Sequence, residues 1–245
     1  MTNLAIKANL LSKLFVTFQK ERTLLRLMKT LIKGESYYTK YLVLNELSFE
    51  IAKGEKVALV GGNGAGKTTL LRILSGIYQA SSGELNLFEF PKSFFRFWIG
   101  ITRELSVLES IHLLSAIYGI TTENLQEDTE SILEMAELKE HSSTYVKVLS
   151  SGQYQRLALS VFFHVKSDFV IFDEGLTYLD AKFIHKCEKY FNDLANSPRT
   201  AILTSHDNSF LRKYCTSAMW LEKGRIVMKG AVEEVLKAYE ASSEI

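Results

Sequence analysis

The chain has little of what a disulfide-framed, nucleic-acid-binding or membrane-spanning protein needs. Two cysteines among 245 residues, Cys187 and Cys215, are too few for a disulfide framework and read as reduced thiols of a cytosolic protein. Two prolines leave no obvious interdomain hinge, and there is no internal repeat or low-complexity linker. No apolar run approaches the ~20 residues that cross a bilayer. The richest, 157–165, is closed by Lys166. The N-terminus shows no signal-peptide cleavage pattern. A formal net charge of +1 gives no broad basic face, so no nucleic-acid partner is expected. Residues 10–33 mix Lys and Arg with Leu and read as an amphipathic basic helix, packed on its own domain or lying on a membrane surface. What remains is ordinary globular composition, 47% hydrophobic and 23% charged, at a length that suits one domain or one core with an inserted subdomain.

The hydrophobic pattern resolves into a core and an insertion. Residues 47–51 alternate as a half-buried strand does, and 56–60 is a short apolar run ending in glycines, a buried strand feeding a turn. A helix over 68–77 follows, with Leu70, Leu71, Ile73 and Leu74 on one side, and then a strand over 83–88. Segments 106–118, 123–138 and 151–165 are helix-like with no strand between them. Apolar strands at 169–172 and 200–204 flank a helix over 181–195, an order that implies parallel pairing. A hairpin across Lys223 and Gly224 and a final helix over 232–240 complete an α/β core with a helical insertion.

Gly61-Gly62-Asn63-Gly64-Ala65-Gly66-Lys67-Thr68 fits G-x-x-x-x-G-K-[ST]. Glycines let backbone N–H groups turn inward around phosphate oxygens, and the next helix points its positive end at the same phosphates. Lys67 reaches the β- and γ-phosphates and the Thr68 hydroxyl ligates Mg²⁺, so ATP and Mg²⁺ are the expected ligands. Thr69 completes the ATP-binding set. Asp173 and Glu174 end an apolar strand. Asp173 is placed to hold magnesium, and Glu174 to take a proton from the attacking water. Leu149-Ser150-Ser151-Gly152-Gln153 opens a helix and is either a second anion site or an ordinary serine cap. His206 follows a buried strand, facing the acids or serving structure alone.

Taken in order, the phosphate loop, Leu-Ser-Ser-Gly-Gln, the Asp-Glu strand, Leu179-Asp180 and His206 resemble the ATP-binding cassette (ABC) ATPases over nearly the whole chain. The resemblance implies the ABC ATPase fold: a P-loop NTPase core with a mixed sheet, about 1–105 and 166–245, and a helical subdomain, about 106–165, within a single domain over 1–245. It implies a homodimer that sandwiches two ATP molecules head to tail. Ser150, Ser151, Gly152 and Gln153 then contact the γ-phosphate in trans, and Asp180 lies in the loop between the sites. His206 senses or polarises the γ-phosphate, joining Glu174 and Lys67 as catalytic candidates.

Finer features resemble the ATPase subunits of capsule and O-antigen polysaccharide exporters. They are the run Asp180-Ala181-Lys182-Phe183-Ile184-His185-Lys186-Cys187, Ser151 in place of the usual glycine, and the basic stretch 20–40. That branch places an adenine-stacking aromatic before the basic stretch, Phe15 or else Phe18, either of which serves equally as core. Three departures from the family pattern bear on the branch. The family's glutamine is missing near Ile101-Thr102-Arg103-Glu104, a point where polysaccharide exporters often vary, which favours the branch slightly. Gly175 in place of a frequent proline and Leu179 where this branch often has glycine stand against it. The implied function is ATP hydrolysis powering export of a lipid-linked polysaccharide, through a separate integral-membrane permease at the cytoplasmic face of the cell membrane. Export of a lipid, peptide or drug, and a non-transport ABC ATPase, are the alternatives. Phe94, Phe95, Phe97 and Trp98 line the permease groove or belong to the core, and residues 106–165 would dock the permease.

Overall fold

Continuous apolar runs bounded by turns make strands covered on both faces, and three such runs carry this fold. The computed structural model describes residues 3–18, 38–95, 101–120, 125–176 and 179–243. Its strands are β1 (Leu4–Phe18), β2 (Tyr38–Ala52), β3 (Lys56–Val60), β4 (Ser82–Leu87), β5 (Lys92–Phe95), β6 (Phe169–Asp173), β7 (Thr200–Thr204), β8 (Ser217–Glu222) and β9 (Arg225–Ala231). Its α-helices are α1 (Lys67–Leu74), α2 (Val107–Tyr118), α3 (Leu125–Ala136), α4 (Ser151–Phe163), α5 (Ala181–Ala195), α6 (Asn208–Tyr214) and α7 (Val232–Ser243).

The main sheet has the order β5-β6-β7-β3-β8-β9, parallel from β5 to β8 and antiparallel at β9. It is the expected mixed sheet. Every residue of β3, β6 and β7 is buried, and alternate residues face opposite cores. Ala58, Val60, Val170 and Phe172 join a cluster with α2 to α7, whereas Val57, Leu59, Phe169 and Ile171 join a second one with α1. Above that second cluster lies a three-stranded antiparallel sheet, β2-β1-β4. The α1 residues Leu70, Leu71, Ile73 and Leu74 fill it as expected, each contributing about 1.5–3 kcal/mol of burial.

Between β5 and β6 the described chain is helical, with one isolated bridge between Ser106 and Tyr145. Ser106 and Ser150 start α2 and α4 with capping boxes, closed by Glu109 and Gln153 respectively.

One expectation is corrected here and one open alternative is resolved. Residues 10–18 form strand, not helix: they pair antiparallel with β2 from Leu11↔Leu47 to Phe18↔Tyr38, and register shifts between Ala8 and Leu14 break the alternation. Residues 19–33 of the expected helix, like most of the basic stretch 20–40, lie outside the described residues. Phe94 and Phe95 belong to the core, on a short strand beside β6, with 1% and 5% of their surface exposed. Phe97 and Trp98 lie outside the described residues.

Candidate functional site

The phosphate loop leaves β3 and turns directly into α1. Its first glycine is required by close packing: a Cβ on Gly61, at φ 150°, would stand 2.1 Å from the Leu221 carbonyl oxygen of β8. At Gly62 and Gly64 a Cβ would meet nothing within 4 Å, so the mouth of the loop is open. The loop is fixed from behind by the β8–β9 hairpin, whose Gly224 N–H donates to the Ala65 carbonyl at 3.0 Å. Lys67 folds back over the loop, its ammonium donating to the carbonyls of Gly61 (2.5 Å) and Gly62 (3.3 Å). Burial pushes the Lys67 ammonium below its ordinary value, and the nearby Glu174 and Asp173 carboxylates partly offset this.

Strand β6 delivers the two acids. The Asp173 carboxylate, 8% exposed, accepts from Thr204 Oγ1 at 2.7 Å and from Thr68 Oγ1 at 3.2 Å. Burial raises its pKa despite these two donors, and the neighbouring Glu174 adds to the rise. The Thr68 contact spans 105 positions of sequence and joins the phosphate loop to the acid strand. Glu174 has left the strand: its φ of 49° is left-handed, a conformation costing a non-glycine residue about 1–2 kcal/mol. Its N–H donates to Thr204 Oγ1 at 3.0 Å, and its Oε1 lies 2.9 Å from His206 Nε2. The structure thus brings together Gly61, Gly62, Lys67, Thr68, Asp173, Glu174 and His206.

The sequence-derived residues outside the phosphate loop and the acid strand have other partners. Ser150 Oγ accepts from the Gln153 N–H (3.2 Å) and Gln153 Oε1 accepts from the Ser150 N–H (3.0 Å), which leaves the 150–153 turn closed on itself, with Ser150 and Ser151 exposed. Asp180 caps α5 by accepting from the Phe183 N–H at 2.9 Å. Phe15 lies near the C-terminal end of β1 with its ring edge-on to Tyr78, centroids 5.5 Å apart, and Lys13 over its face. The Phe18 side chain lies outside the described residues.

Sequence reasoning missed Thr204, which serves both acids. Its signal is a polar residue ending the apolar run Ala201-Ile202-Leu203, and it is 1% exposed. Glu174 and His206 also line a cavity of about 470 Å³, walled by Phe172, Phe191, Phe210 and Tyr214. The phosphate loop lines a smaller one of about 300 Å³ with Trp220 and Tyr239. Among the described residues no helix is long and apolar enough to cross a membrane, and no group of three His, Cys, Asp or Glu stands ready to hold a metal.

Comparison with known proteins adds relatives to this geometry. A family model described as ABC transporter matches residues 44–177. The O-antigen export system ATP-binding protein RfbB of Klebsiella pneumoniae is 33% identical over 86% of this chain and 84% of its own length. The capsule polysaccharide export ATP-binding protein CtrD of Neisseria meningitidis serogroup B is 34% identical over 81% of this chain and 88% of its own. A solved ATP-binding subunit of an ABC transporter superposes with a TM-score of 0.75 at 20% identity, covering 96% of this chain and 93% of that one. The cassette MJ0796, solved as a dimer in a post-hydrolysis state bound to ADP and Pi, superposes at 0.72 with 19% identity over 93% and 98%.

Proposed function

Because the chain belongs to the ABC transporter family, we propose that it binds and hydrolyses ATP to drive export of a lipid-linked polysaccharide, of capsule or O-antigen type, through a separate integral-membrane permease. The observation that carries the ATPase reading is the Thr68–Asp173 contact, which sets a cation-binding carboxylate beside a phosphate loop. The names and near-full coverage of the polysaccharide-export relatives support the cargo.

The residues fit both ligands. An open loop of backbone N–H groups ahead of a helix, with an ammonium laid over it, suits a triphosphate. Thr68 and Asp173 offer two hard oxygen donors, the donor type and number suited to Mg²⁺ that takes its remaining ligands from phosphate and water. Magnesium there would neutralise phosphate charge. Lys67 exchanges its loop carbonyls for phosphate oxygens, whose charge further offsets the cost of its burial. Thr204 holds Asp173 and the Glu174 backbone together, and Glu174 accepts the proton of the attacking water while His206 fixes its carboxylate.

Two copies act head to tail. The 150–153 turn of one, which makes no hydrogen bond to its own phosphate loop, covers the nucleotide of the other. Residues 106–165 form the subdomain that meets the permease, and the assembly sits peripherally on the cytoplasmic face of the membrane.

The test is twofold. Purified protein should release phosphate from ATP only with Mg²⁺, and Lys67→Ala should abolish it. A strain lacking the protein should accumulate unexported, lipid-linked polysaccharide inside the cell. Normal export in that strain, with ATPase activity intact, leaves the enzyme and removes the cargo.

A further inference from the structure

Glu174 and Gly175 form a turn that few chains adopt unaided, with successive φ values of 49° and 143°. The second position admits only glycine: a Cβ there would come 2.6 Å from Phe94 Cε1 and 3.2 Å from Phe172 Cζ. Proline, locked near φ −65°, is excluded as well. A strained turn of this kind persists only where its surroundings fix it. One side is held by Thr204, which accepts from the Glu174 N–H. The other side is held by Gln155, a buried residue of α4 whose side-chain amide donates to the Gly175 carbonyl.

The next residue of α4 anchors the far end of the same loop. Arg156 donates to Asp180 at 3.3 Å and to Glu137 at 3.0 Å, and its side chain is 16% exposed. Glu137 also receives Lys182 (2.8 Å) and Lys186 (3.1 Å) from α5, so helices α4 and α5 meet on one carboxylate. Consecutive residues of α4 therefore grip both ends of the connection from Glu174 to α5.

We infer that Gln155 is a positioning residue: through Gly175 it holds the turn that aims Glu174 at His206, with Arg156 bracing the connection at Asp180. The inference rests on the role proposed for Glu174. Gln155 lies about one helical turn from Ser151. The segment proposed to touch the partner's nucleotide is thus mechanically joined to this subunit's own proton acceptor. Whatever draws the 150–153 turn inward also pulls on the Gly175 carbonyl, linking the two sites of a dimer through a single helix.

Gln155→Leu keeps the volume and removes the donor. Single-turnover hydrolysis should fall by about tenfold or more, as displacements near a reacting group do. Affinity for a fluorescent ATP analogue should stay within about threefold, since no phosphate contact is touched. In a Glu174→Gln background, adding Gln155→Leu should cause no further loss. An unchanged rate in the single variant, or losses that multiply in the double one, overturns the inference. If Gln155→Leu does not fold, Arg156 gives the same test: Arg156→Met should slow hydrolysis, Arg156→Lys should restore it, and Arg156→Met should add nothing to Glu174→Gln. Equal rates for the Lys and Met variants overturn it. Wild-type protein no more active than Lys67→Ala would defeat the ATPase reading itself; active wild type with unaffected variants would defeat only the positioning role.

Discussion

The phosphate loop and the 150–153 turn are both helix N-termini suited to anions, yet they stand in opposite relation to the rest of the chain. The loop is fastened by contacts distant in sequence: Leu221 and Gly224 from behind, and Asp173 through Thr68. The turn closes on itself through the Ser150 and Gln153 capping box, with Ser150 and Ser151 exposed. One region is tied into the fold; the other is a surface whose proposed ligand arrives with a second copy. The difference teaches that local helix-cap chemistry does not distinguish a binding site from a stop signal. Its long-range partners do.

The comparison breaks most visibly at Lys67. Lys67→Ala should weaken ATP binding by about a hundredfold or more in a fluorescence titration, since the charge-assisted contact to phosphate is lost. Glu174→Gln should reduce turnover by about 10²–10⁴ while leaving affinity intact, and ATP should then hold a dimer on size exclusion. Ser151→Arg sharpens the contrast from the other side: it should abolish that ATP-induced dimer in the Glu174→Gln background yet leave nucleotide affinity of the single subunit within about threefold.

A smaller effect concerns Asp173. Its folded pKa lies above the unfolded one because it is buried, so protonation favours the fold. The associated stability is fully present below the unfolded pKa and lost as pH rises through the raised value. Asp173→Asn should therefore raise the melting temperature of nucleotide-free protein at pH 7, by about 2–4 °C per kcal/mol, with the gain vanishing in acid. Smallest is Ser150→Ala, which should cost about 1 kcal/mol of unfolding free energy through the lost cap.

Much of the site was legible because its parts are local. The strands β3, β6 and β7 are unbroken apolar runs, and the loop between β3 and α1 is contiguous in sequence. The strand β1 was not legible: bulges between Ala8 and Leu14 destroy the two-residue period, and Leu10 sits at φ 50°. Helix α6 has seven residues, too few to show a period, and β5 has four. The grip of Gln155 on Gly175, twenty positions on, is a side chain meeting a backbone carbonyl, and no residue pattern announces it. The same holds for the Arg156 contacts.

The sheet order has one more consequence. Strands β3 and β6, which deliver the phosphate loop and Asp173, are not neighbours; β7 runs between them. Two interstrand spacings of about 4.8 Å therefore set the gap between their ends, independent of any side chain. The backbone ladder acts as a fixed gauge, machined to one width, and Thr204 at the tip of β7 pins the β6 jaw to it.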